Sequence, residues 1–134
     1  MAQLETIEGV GAVYAGKLAA AGIETTDALL EACKTPDGRK DVAEKADISP
    51  KLILRWANMV DLFRISGVGE EYADLLEAGG VDTVPELAQR NAANLHAKLV
   101  EVNEEKSLTR RIPTADQVAA WVEQAKALPR VLTY

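Results

Sequence analysis

At 134 residues, with 48% apolar and 27% charged side chains, the chain has the make-up of one globular domain, and this composition sets it apart from disordered proteins. Aromatic residues are only 4%, so the core has to be built from Ala, Leu, Val and Ile, which suits closely packed helices. The net charge of -6 is carried by both halves, with 8 basic and 10 acidic side chains in residues 1–64 and 7 and 11 in residues 65–134, which weighs against a general binder of polyanions.

No apolar run approaches the roughly 20 residues that cross a bilayer, and the first residues carry Glu5 and Glu8 where a secretory leader would be basic and then apolar. The lone Cys33 has no internal disulfide partner, so a cytoplasmic location is the expectation.

The strongest signal is a repeat. Ile7-Glu8-Gly9-Val10-Gly11-Ala12-Val13-Tyr14-Ala15 recurs 58 residues later as Ile65-Ser66-Gly67-Val68-Gly69-Glu70-Glu71-Tyr72-Ala73. The match extends through Leu18 with Leu76, Gly22 with Gly80, Ile23 with Val81, Thr25 with Thr83 and Leu29 with Leu87, which reads as an internal duplication. Each copy predicts a short helix, a Gly-apolar-Gly turn that sends Val10 or Val68 inward, a longer helix, and a second glycine turn. Val10, Tyr14, Leu18 and Ala21 form the apolar stripe of the first long helix, and Val68, Tyr72, Leu75, Leu76 and Gly79 that of the second.

Between the copies, Thr35-Pro36-Asp37-Gly38-Arg39 reads as a surface turn, followed by a short helix from Val42 to Ala46. Leu87 to Asn91 is then the counterpart of that short helix, and the first copy holds an insertion. Ser49-Pro50 starts a helix with Leu52, Ile53, Trp56, Met59, Val60 and Phe63 on its apolar face. In the second copy Thr83 to Glu86 has capping-box spacing, and Asn94 caps a helix carrying Leu95, Leu99, Val100 and Val102. Thr114 to Gln117 has the same box spacing ahead of a final stripe of Val118, Trp121, Val122, Ala125 and Leu128. The expected architecture is all-α: a first repeat over 1–64, a second over 65–106, and a capping helix over 112–129, joined in one pseudo-symmetric domain.

Few side chains suggest chemistry. His96 has no second imidazole or cysteine pair for a zinc site, and Cys33 sits near a helix C-terminus, where a thiolate is disfavoured. No phosphate loop, serine elbow or calcium loop occurs. The chain is therefore read as a non-enzyme without cofactor or metal. Tyr14 and Tyr72 read as packing residues, and Trp56 and Trp121 as buried anchors.

The Gly-apolar-Gly turns resemble the helix-hairpin-helix module at Ile7, Gly9, Val10, Gly11 and Ala15, and again at Ile65, Gly67, Val68, Gly69 and Ala73. That resemblance implies backbone N-H groups able to hold a phosphate of DNA without reading sequence. At the first turn the contact residues would be Gly9, Val10 and Gly11, with Lys17 and the Arg110-Arg111 pair in support. Glu8, and at the second turn Glu70, Glu71 and Asp74, oppose it. Over nearly its full length the chain resembles the mainly bacterial family known as domain of unknown function 4332. This rests on the two hairpin blocks, on Tyr14-Ala15 and Leu18 to Ile23, and on Ile112-Pro113-Thr114 with Val118 to Lys126. The family implies a helical fold related to DNA-binding hairpins and no catalytic residues. The expected function is a non-catalytic interaction or scaffold module that takes a protein partner or self-associates without membrane contact; the alternative is weak, sequence-independent DNA binding through the first turn.

Overall fold

The computed structural model describes residues 3–7 and 9–134. Among these the chain is all-α: a short 3-10 helix Leu4–Thr6 precedes α1 (Ala12–Ala20), α2 (Thr26–Ala32), α3 (Pro36–Ala46), α4 (Pro50–Leu62), α5 (Glu70–Ala78), α6 (Val84–Ala88), α7 (Ala92–Lys106) and α8 (Ala115–Ala127). One isolated antiparallel bridge joins Gln3 to Thr25, and no strand forms among the described residues. Two compact units divide the chain: residues 1–61 with 131–134, and residues 62–130.

In the first unit α1 packs on α3 and on the 3-10 helix, and α2 packs on α3. The stripe of α1 closes over a core that includes Ile7, Val10, Leu18 and Ile23 and continues through Leu29, Val42, Ile53 and Trp56, all buried. Helix α2 begins at Thr25, whose hydroxyl accepts the Ala28 N-H, and α3 begins at Thr35, whose hydroxyl accepts the Gly38 N-H. Segment 35–39 is thus not a surface turn. Thr35 is an N-cap, Pro36 the first helical residue, and Arg39 is buried on the inner face of α3. Pro and Asp suit a turn and a helix start equally well, and here the helix wins because Arg39, Val42, Ala43 and Ala46 share one buried face. Residues 36–41, expected within a surface loop, are the N-terminal half of α3, and residues 87–91, expected as a short helix, span the end of α6 and the N-cap of α7.

In the second unit α8 packs on α6 and α7, and α5 on α7. Its core includes Val68, Ala73, Leu75, Leu76, Val81, Val84, Leu87, Leu95, Leu99 and Trp121. The cap of α7 is Asn91, whose side chain accepts the Asn94 N-H, so Asn94 lies three residues inside the helix where it had been expected to cap. The Thr83 box also differs. Thr83 makes no side-chain cap bond; its hydroxyl donates to Glu86 Oε1, while Glu86 Oε2 accepts the Asp82 N-H. At Thr114 both halves of the expected box form with Gln117.

Two helical glycines are predicted to respond in opposite ways to the same substitution. A Cβ at Gly38 would run into the Ala32 carbonyl oxygen, a backbone atom that cannot yield cheaply, whereas a Cβ at Gly16 meets nothing within 4 Å. Urea unfolding should show Gly38→Ala destabilised by about 1–3 kcal/mol through overpacking. Gly16→Ala should gain about 0.5–1 kcal/mol from helix propensity. A stabilised Gly38→Ala would contradict this packing of α3 against the end of α2.

Candidate functional site

The first hairpin turn is built by hydrogen bonds of the short segment itself. Ile7 N-H donates to Leu4 O and Val10 N-H to Ile7 O, so the chain reverses within a few residues. Reversal requires φ of +90° at Gly9, a region that costs other residues roughly 1–2 kcal/mol. Val10 is then driven into the core, and Gly11, extended at φ -92° and ψ -172°, becomes the N-cap of α1. Gly11 has no side chain to accept the orphan N-H groups of the first turn of α1, and Gly11, Ala12 and Val13 are exposed. Glu8 lies outside the described residues.

Of the four residues expected at this site, Gly9, Val10 and Gly11 are brought together and Lys17 is not. Lys17 Nζ donates to the Asp47 carbonyl at 3.1 Å, at the left-handed C-cap of α3, and lies 5.9 Å from the centre of the Tyr14 ring. The cation beside the turn is Arg55 from α4: a Cβ at Gly9 would lie 3.4 Å from its Nη1 and 3.7 Å from Trp56 Nε1. Sequence reasoning missed Arg55 because it is 46 positions from Gly9 and its approach depends on the packing of α4. The one signal was its place next to Trp56, already expected to be an anchor.

Trp56 is fully buried, and its ring meets Tyr14 edge-on, with centroids 5.1 Å apart at 63°. Its Nε1 is buried without a hydrogen-bond partner among the described residues. The second turn has the same arrangement. Gly67 has φ +93°, Val68 N-H donates to Ile65 O, and Val68 is buried. Tyr72 meets Trp121 at 5.2 Å, and a Cβ at Gly67 would lie 3.3 Å from Trp121 Nε1. Gln124 adds a clamp absent from the sequence reading: its Oε1 accepts the Ser66 N-H and its Nε2 donates to Ser66 O. Around this turn a shallow cleft is lined by Gly67, Gly69, Glu70, Glu71 and Tyr72.

A profile for a domain of unknown function, DUF4332, matches residues 8–128. The chain belongs to the DUF4332 family. No curated protein and no solved structure matches it. The family description thus adds membership and no chemistry, and the DUF4332 fold has to be read from its own side chains. Among the described residues no group of three or more His, Cys, Asp or Glu could share a metal ion, and no helix is long and apolar enough to cross a membrane. His96 lies in the second turn of α7, where its Nε2 donates to the Pro113 carbonyl at 3.0 Å and holds the α7–α8 connector. Arg110 and Arg111 are exposed in that connector. Charge in the second unit is further concentrated at Asp82, whose carboxyl is held above its ordinary range by burial and then by Glu86 and Glu77.

Cys33 is fully buried at the C-cap of α2, and burial pushes its thiol up to about 11, with Arg39 opposing the shift. Because the folded thiol ionises later than the unfolded one, its stabilising contribution is complete below the ordinary value of 9.0 and is lost as pH rises from there to about 11. Over that window the unfolding free energy should fall more steeply in the unsubstituted chain than in Cys33→Ala, by up to about 1.4 kcal/mol per pH unit. Parallel curves for the two proteins would show that Cys33 ionises freely in the fold.

Proposed function

We propose that the two units are copies of one four-helix repeat built on a helix-hairpin-helix turn, and that the protein is a non-catalytic interaction module whose contact surface is the exposed face of α1. Duplication is supported by matched detail at both turns: the positive φ at the first glycine, the buried valine, and the tyrosine set against a tryptophan. On this reading α8 corresponds to α4 and is a repeat element, not an added cap. Both helices have 13 residues, and in each the tryptophan comes six residues after the first helical position.

The observation that carries the functional reading is where the two copies differ. Exposed positions of α1 are Ala12, Val13, Gly16, Ala19 and Ala20, all uncharged, and Val13 is 73% exposed. At the 58-residue offset the same positions of α5 are Glu70, Glu71, Asp74, Glu77 and Ala78. An acidic face stays solvated and repels polyanions, whereas a smooth face of small residues lets a second helix approach closely once its water is released. With Lys17 turned to the Asp47 carbonyl, this face offers shape and apolar area in place of charge. A protein helix is therefore the partner class that suits it.

A second reading, sequence-independent contact with a DNA backbone, is favoured by one observation: Arg55 stands beside the first hairpin turn. Two measurements separate the readings. A photo-crosslinking residue at position 13 should give discrete protein adducts in cells of the source organism, and the same residue at position 71 should not. Duplex and single-stranded DNA should both fail to bind at low micromolar protein in low salt, where phosphate contacts are strongest. DNA binding that is lost in Arg55→Ala, together with no adduct from position 13, would overturn the protein-partner reading in favour of the second.

A further inference from the structure

Segment 131–134 belongs to the first unit although the chain reaches it only after α8. It has no regular secondary structure, yet Leu132 is buried and the two residues after it are each received by a specific group. Leu132 is 2% exposed. Thr133 donates twice to the Lys34 carbonyl, from its N-H at 2.8 Å and from its hydroxyl at 3.2 Å. The Tyr134 ring lies over the Arg39 guanidinium, 5.2 Å from ring centre to Cζ, and its hydroxyl donates to Asn58 Oδ1 at 2.8 Å.

The receiving groups sit on the first unit and are placed without help from the segment. Lys34 follows the C-cap of α2, where the chain has just left the helix and its carbonyl is free of the helical ladder. Arg39 is held on α3 by donating its Nη1 to the Cys33 carbonyl at 3.0 Å, which fixes the guanidinium plane before an aromatic ring arrives. Asn58 is carried by α4, two residues beyond the buried Trp56. A main-chain acceptor, a cation and an amide thus form a preorganised receptor for an extended segment.

We infer that this receptor is a peptide-docking site occupied in cis by the chain's own residues 131–134, and that it takes a partner's extended segment in which an aliphatic residue is followed two positions later by an aromatic one. The bound segment itself supplies the specificity: Leu132 is buried, Thr133 meets the carbonyl, and Tyr134 covers Arg39. Its grip is limited to one buried side chain, since Thr133 is exposed and Tyr134 is 62% exposed. Retention therefore depends on the high effective concentration that covalent linkage provides, and a partner's segment displaces the cis one by gripping more tightly or by being held nearby through a second contact. This site is separate from the face of α1, so either can fail without the other.

The test uses the full chain carrying Leu132→Ala and Tyr134→Ala together, with a fluorescent peptide of the sequence of residues 129–134 as probe. With near-UV circular dichroism showing a native fold, the substituted chain should bind the peptide at least roughly tenfold more tightly than the unsubstituted chain does, because the cis competitor has been weakened. Adding Asn58→Ala should reduce that binding, and a peptide with both anchor residues changed to Ala should not bind. Equal uptake by substituted and unsubstituted chains would overturn the inference, as would a substituted chain that dimerises without taking up peptide. Hydrogen exchange in the unsubstituted chain gives an independent check that needs no variant. The Thr133 amide should exchange by local opening, at least about a hundredfold faster than the amides of α4; exchange only on global unfolding would equally overturn the inference.

Discussion

Each hinge turn is held by the contact between a tyrosine on the helix that follows it and a tryptophan on a helix much later in the chain. Tyr14 and Trp56 make this contact in one unit, and Tyr72 and Trp121 in the other. The turn cannot hold itself. Its first glycine reaches positive φ without strain but loses much backbone freedom when fixed there, and its one inward side chain is a valine. An aromatic pair adds about 0.5–1.5 kcal/mol beyond the area it buries, and here its indole also closes against the glycine backbone. The Trp56 ring lies against Tyr14 and Gly9, and its buried Nε1 has no hydrogen-bond partner among the described residues.

Once the turns are fixed, the two helix N-termini they present differ only in what surrounds them. Orphan N-H groups and the positive end of a helix favour negative charge. At the second turn Glu70 and Glu71 answer that preference from within the helix, and Asp82 with its carboxylate neighbours adds to the negative field of the unit. At the first turn no acidic residue stands in the first turn of α1, and the helix shows solvent a neutral face instead. The difference arises at the exposed α1 positions Ala12, Val13, Gly16, Ala19 and Ala20, whose counterparts 58 residues on are mostly acidic.

Much of this was legible in the sequence because it follows from local rules. Glycine pairs around a valine dictate the hinge, the 3.6-residue stripe dictates which face of α1 or α5 is buried, and Thr114 with Gln117 dictates a capped start. Failures came where two local rules compete or where the deciding contact is distant. Thr35 to Arg39 satisfies the rule for a turn and the rule for a helix start, and only the burial of Arg39 on α3 decides between them. Asn91 and Asn94 are both good caps, and the earlier one is used because helical packing of Leu95 and Leu99 begins a turn before them. The proposed correspondence of α8 with α4 escapes alignment by the hairpins, because their 58-residue offset becomes 65 residues at the tryptophans. Arg55 at the first turn, and Arg39 beneath Tyr134, depend wholly on tertiary placement.

The account stands on the tyrosine–tryptophan contact as the lock of each hinge, and a double-mutant cycle measures it directly. Tyr14→Leu, Trp56→Leu and the double variant should show a favourable coupling of about 0.5–1.5 kcal/mol by urea unfolding, and Tyr72 with Trp121 should give a coupling of similar size. Additive effects in both pairs would contradict the account, because the hinges would then be held by something other than the aromatic contact.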